Sequence, residues 1–145
     1  MELDVARMAR HRMYQEKYMP TAEEAFESFQ DNLNNGESAQ VFNTHHEDKR
    51  SFERAVSRTQ VIEVLLNGYV IEAQRQDGQS FDMLIMSYVK ITSGYRPLHV
   101  AIHLEKDICT VKTVYDPRSK REQWAENLET RLFYIEKCEK EEIVC

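Results

Sequence analysis

Three groups of residues in this chain have types and spacings that could do chemistry. The first is His46, Arg50 and Arg54. At i, i+4 and i+8 they share one stripe of a helix, so one titratable ring and two fixed cations face the same way and can hold an anion. The same arginines could instead pair with Glu47, Asp48 or Glu53 on a solvated face. The second group is Tyr95-Arg96-Pro97-Leu98-His99-Val100. Strand alternation puts His99 opposite the aliphatic Leu98, Val100 and Ile102, aimed away from a core and available for proton transfer. The bland alternative is a structural histidine hydrogen-bonded beneath a helix. Pro97 predicts an edge or terminal position, because proline cannot donate to a ladder. The third group is Thr113-Val114-Tyr115-Asp116-Pro117, where a hydroxyl and a phenol on one strand face could orient a phosphate or a carbonyl.

Metal and nucleotide chemistry of the common kinds are not predicted. His99 and His103 lie roughly 13 Å apart on a strand at ~3.3 Å per residue, and no HExxH, paired CxxC or EF-hand loop occurs. The glycines at 36, 68, 78 and 94 are too scattered for a phosphate loop, and no cofactor is expected. Cys109, Cys138 and Cys145 are odd in number and widely spaced, which reads as free thiols in a reducing, cytoplasmic setting. No apolar run approaches the ~20 residues of a membrane span.

These residues need elements to position them. The 145 residues, 41% hydrophobic with 10% aromatic, suffice for one domain and a short extension. Two N-terminal helices are predicted, divided at Pro20, with Thr21 and Glu24 forming a capping box for the second. Asn34 to Thr44 reads as a linker. A third helix is expected over His46 to Asn67, stopped by a left-handed Gly68. Strands follow at Tyr69 to Arg75, Phe81 to Lys90, Arg96 to Leu104 and Ile108 to Tyr115, the first two joined by an Asp77-Gly78 turn. Trp124, Leu128, Leu132 and Ile135 predict a last helix over Arg121 to Glu139. The fold class is α+β: N-terminal helices, then a four-stranded antiparallel sheet with packed helices.

The net charge of −6 opposes a broad basic face, but residues 1–44 carry −4 of it, so a local basic site in the remainder stays open.

Taken in order, the motifs H-x-x-x-R-x-x-x-R, then N-G, then G-x-R-P-L-H-V, then T-x-Y-x-P resemble a bacterial family of small uncharacterised domains. Here they are His46, Arg50 and Arg54; Asn67-Gly68; Gly94 to Val100; and Thr113 to Pro117, over about residues 45 to 131. That family is similar to the RelE/ParE toxins and the barnase, EndoU, colicin and RelE group. The resemblance implies a RelE-like domain at residues 45–140, behind an acidic helical extension at 1–44 and before a tail at 141–145. It implies a toxin-type ribonuclease that works without metal, or an RNA-phosphate-binding domain. By the same resemblance His46 and His99 would be the acid/base pair. Arg96 and Arg50 would hold the phosphate, with Arg54 beside them, while Thr113 and Tyr115 would orient it. The competing expectation is a non-catalytic module or inhibitor whose acidic helices bind a protein partner, an antitoxin-like segment or a second copy in a homodimer.

Overall fold

The computed structural model describes residues 4–43, 56–75 and 80–132. His46, Arg50 and Arg54 lie outside the described residues, as do the Asp77-Gly78 turn, Ile135, Cys138 and Cys145.

Helix α1 runs without interruption from Val5 to Asn34, capped by the Asp4 side chain, which accepts the Arg7 amide hydrogen at 2.9 Å. The division expected at Pro20 is not there: Pro20 sits inside the helix on its exposed side. A proline removes one hydrogen bond and crowds the preceding turn, but tertiary contacts outweigh that local penalty. Ala22, Phe26 and Phe29 are buried in the main core beyond the proline, with Met19 packed beside them. Before it, the Gln15 amide donates to the Ala73 carbonyl at 3.1 Å and accepts the Ala73 N–H at 2.7 Å. One side chain thus occupies both ladder groups of a sheet-edge residue. Thr21 accordingly lies in mid-helix rather than at a cap.

The expected linker contains strand β1, Gln40–Asn43. The Gln40 amide bonds the Asp107 carbonyl at 2.8 Å, and the Asp107 carboxylate accepts from Asn32 at 2.9 Å and Ser38 at 3.1 Å. Helix α2 covers Arg58–Asn67, starting at a capping box between Ser57 and Gln60. The helix expected over His46 to Asn67 is thus seen only from Arg58 onward, after an extended Ser57, and its first part lies outside the described residues. Gly68 is extended too (φ −85°), not left-handed; a Cβ there would come within 2.8 Å of the Met86 carbonyl. Glycine is needed for close approach of α2 to the sheet, not for its torsion angles.

Strands β2 (Tyr69–Arg75), β3 (Ser80–Ile91), β4 (Gly94–Glu105) and β5 (Ile108–Tyr115) form the expected meander. With β1 parallel to β5, the sheet has five strands in the order β1-β5-β4-β3-β2 and is mixed rather than four-stranded and antiparallel. A single short strand in an otherwise polar segment gives no alternation long enough to read from sequence. β4 is central, not an edge. Pro97 is tolerated because β5 ends opposite His99, leaving β4 with a single strand neighbour at that point.

One sheet face, with Ile85, Leu98, Val100, Ile102 and Val111, packs against α1 and α2. The other carries a smaller cluster of Leu84, Met86, Trp124 and Leu128. The expected C-terminal helix is absent over residues 121–132. A 3-10 helix at Pro117–Gln123 ends in an extended Trp124, and a tight loop follows, closed by a Trp124–Arg131 bridge with Leu128 left-handed at φ 62°. The apolar i, i+4 pair is buried as predicted, but across a loop. Among the described residues no helix is long and apolar enough to cross a membrane.

Candidate functional site

Two β-bulges decide what the open sheet face displays. Side chains alternate strictly along a strand, so an extra residue flips everything beyond it. Val70 pairs with Ile85 on the core face, and unbroken alternation would bury Glu72 beside it. The register shift after Val70 instead pairs Glu72 with Leu84, on the open face. In β5, Val111 pairs with Ile102 toward the core, and strict alternation would send Thr113 and Tyr115 there too. The shift at Lys112 pairs Thr113 with Ala101 and Tyr115 with His99. Val114 then packs on the core while Thr113 and Tyr115 face outward.

His99 lies on the expected face but is fully buried beneath the 124–131 loop. Its Nε2 is 2.7 Å from the Leu128 carbonyl oxygen, which can only accept, so Nε2 carries the proton. Nδ1 then accepts the Tyr115 hydroxyl at 3.1 Å. Trp124 and Tyr115 meet the ring edge-on, at centroid distances of 4.5 and 5.2 Å. Burial pushes the His99 pKa down to about 4, with the nearby Arg131 charge acting in the same direction against the Leu128 bond and Asp116. At neutral pH the ring is uncharged.

From Trp124 the contacts run on to the helix. The Arg131 guanidinium lies 4.5 Å from the Trp124 ring centroid and donates to both Glu72 oxygens, at 2.7 and 3.0 Å. The other neighbour of Glu72 is His11, whose Nε2 is 3.4 Å from the carboxylate. Gln15 reaches His11 Nδ1 at 3.4 Å. Burial lowers the His11 pKa, opposed by Glu72 and aided by Arg131, Arg12 and Arg7.

His11, Glu72, Arg131, Thr113 and Tyr115 line an open groove of about 280 Å³, together with Arg7, Gln15, Asp82 and Lys112. Asp82 accepts from Lys112 at 3.1 Å and pairs with His103 at 3.0 Å. The groove thus joins a histidine–carboxylate pair to the cations Arg7, Lys112 and Arg131.

Of the residues singled out in the sequence, Thr113 and Tyr115 line this groove, and His99 supports Tyr115 from beneath. Arg96 does not line it. Its Nε bonds Asp116 at 3.0 Å, and Asp116 also accepts from Arg118 at 2.7 Å. Burial alone would raise the Asp116 pKa, but the bonds from Arg118 and Arg96 outweigh it and hold the carboxyl below its ordinary range. The sequence reading missed Arg7, His11, Glu72, Lys112 and Arg131. Arg7, His11 and Gln15 do repeat the i, i+4, i+8 stripe that drew attention to His46. Nothing in the local sequence marks Glu72 or Arg131, which depend on a bulge and a loop.

The family described as a domain of unknown function, DUF4258, matches residues 44–116, half of the chain. The chain belongs to the DUF4258 family. No curated protein and no solved structure matches it. The DUF4258 segment contains Glu72, Arg96, His99, Thr113 and Tyr115, whereas Arg7, His11 and Arg131 come from the flanking segments. The groove is therefore assembled by the family segment together with what precedes and follows it. Among the described residues, no three His, Cys, Asp or Glu side chains gather as a metal site.

Proposed function

We propose that the groove binds and cleaves an RNA phosphodiester in the manner of a toxin-type ribonuclease. The observation that carries this reading is the convergence of His11 and Glu72 with three cations and two hydroxyls on one open face. Attack of a ribose 2′-hydroxyl on its 3′ phosphate needs a base, a proton donor for the departing 5′-oxygen, and charge to stabilise the phosphorane. His11, kept toward its neutral form by burial, takes the 2′-hydroxyl proton, Glu72 stabilises the imidazolium that results, and the Lys112 ammonium gives a proton to the 5′-oxygen as its bond to phosphorus breaks. Arg7 and Arg131 offset the phosphorane charge and Thr113 donates a hydrogen bond to its oxygens, while Tyr115, whose hydroxyl hydrogen goes to His99, walls the site beside them. His99 holds the Tyr115 hydroxyl and acts through it. His46, Arg50 and Arg54 enter this reading by the resemblance alone.

A second reading rests on Glu23, Glu24, Glu27 and Asp31, which are exposed along a half of α1 that carries no lysine or arginine. Here the helix would dock a basic protein partner, and the groove would serve no reaction. Incubating the protein with a mixed RNA pool in EDTA separates the two. Cleavage by the wild type, reduced about a hundred-fold or more in His11→Ala and strongly in Lys112→Ala, is the expected result. A wild type that neither cuts nor retains RNA would overturn the ribonuclease reading.

A further inference from the structure

The sheet face that carries the groove continues past the 124–131 loop, and there it presents tyrosines to solvent. Tyr69 is 41% exposed, Tyr88 49% and Tyr95 66%. The register places them together. Tyr69 pairs with Met86, which pairs with His99; Tyr88 pairs with Pro97 and Tyr95 with Lys90. Directly paired residues share a face, and residues two apart along a strand share it again, so all three rings stand on the His99 face. Tyr69 is engaged, its hydroxyl 2.6 Å from Glu129. Tyr88 and Tyr95 are diagonal neighbours on adjacent strands, within about 7–8 Å by sheet geometry.

Cations surround this pair. Lys90 is exposed and directly opposite Tyr95. Arg118 is exposed and lies near Tyr88. The Lys120 ammonium lies 6.0 Å from the Tyr115 ring centroid, at the groove end of the same surface. Of the acids here, Asp116 is paired with Arg96 and Arg118 and Glu129 accepts from Tyr69, so Lys90, Lys120, Arg96 and Arg118 outnumber them. In a chain of net charge −6, this corner is locally positive. Exposed rings with spaced cations match the two parts of an unpaired nucleotide, a base with a free π-face and a phosphate. A duplex keeps its bases stacked inside and cannot use the rings.

We propose that Tyr88 and Tyr95, with Lys90, Arg118 and Lys120, form a stacking platform for single-stranded RNA whose backbone runs on into the groove. This rests on the RNA reading of the groove and names its substrate as unpaired rather than duplex RNA. The two parts are in reach of one another. Leu84 lines the groove, and Tyr88 stands four positions further along β3, roughly 13 Å at ~3.3 Å per residue. A strand held at the platform by its bases therefore arrives at Thr113 and Tyr115 after a short run of nucleotides.

The test is fluorescence anisotropy of the full chain with a labelled 2′-O-methyl RNA strand, which cannot be cut, and with the same sequence annealed as a duplex. The wild type is expected to prefer the single strand. Tyr88→Ala and Tyr95→Ala should each weaken that binding about ten-fold, while Tyr88→Phe and Tyr95→Phe, which keep the ring, restore it. Lys90→Gln and Arg118→Gln should each lower the salt-dependence slope by about 1. If both alanine variants bind like the wild type while Lys112→Gln weakens binding, the platform is refuted and the groove reading stands. A preference for the duplex also refutes the platform. If the wild type binds neither strand nor duplex, both readings fall together.

Discussion

With Nε2 committed to the Leu128 carbonyl and Nδ1 to the Tyr115 hydroxyl, His99 has both nitrogens occupied within the fold. Its alternation was legible in β4, and so was its face. Its lid was not, because Trp124 and Leu128 come from a loop far along the chain. The buried neutral ring has a consequence for stability. In the unfolded chain a histidine titrates near ~6.5, whereas His99 in the fold titrates at about 4. Between those values the unfolded state binds a proton that the native state refuses. The contribution of His99 is therefore fully present above ~6.5 and is lost as pH falls toward 4, amounting to about 3 kcal/mol. Urea unfolding at neutral pH and at about pH 4.5 should show this loss in the wild type, and a shallower pH dependence in His99→Gln. Equal slopes in both proteins would show that the ring carries no such penalty.

Pro20 is the clearest conflict between local propensity and tertiary packing among the elements. A proline in a helix interior costs ~3 kcal/mol relative to alanine, yet α1 passes through it because both halves are anchored. Phe26 and Phe29 lie in the core on one side, and Gln15 is bonded to Ala73 on the other. Since Pro20 is exposed and the helix is already formed, Pro20→Ala should stabilise the protein by about 1–3 kcal/mol. A thermal melt that does not shift upward would mean that the proline imposes a bend the packing requires. The strands show the complementary case. Their order, approximate limits and core pattern were readable from alternation and turn residues. The bulges at Ile71 and Lys112 were not, since each is a cross-strand register event that adds one ordinary residue.

For the molecule as a whole, the question is whether residues 1–44 are an extension or part of the body. The change in charge and the polar stretch after Asn34 made a boundary there reasonable. Packing joins that segment to the rest. Ala22, Phe26 and Phe29 share one core with Val64, Leu65, Ile85 and Val100, and β1 completes the sheet. Burying each phenylalanine is worth ~1.5–3 kcal/mol, against a total stability for a domain of only about 5–15 kcal/mol. Removing residues 1–34 should therefore leave a chain without a cooperative unfolding transition by circular dichroism. A folded fragment with enhanced RNA cleavage would instead make α1 a removable cover.

By itself the sequence determined the α+β class, the order of the four meander strands, the face on which His99 lies and the pairing of Thr113 with Tyr115 on one side of a strand. Those properties follow from periodicities of two and 3.6 residues and from local turn chemistry, which neighbouring residues impose on one another. Tertiary structure alone decided that α1 is one helix, that a polar segment becomes a fifth strand, and that residues 124–131 form a lid. It also decided that Glu72, Thr113 and Tyr115 turn outward to meet His11 and Arg131. Each of these depends on contacts between residues distant in the chain, whose energies exceed the local preferences they override.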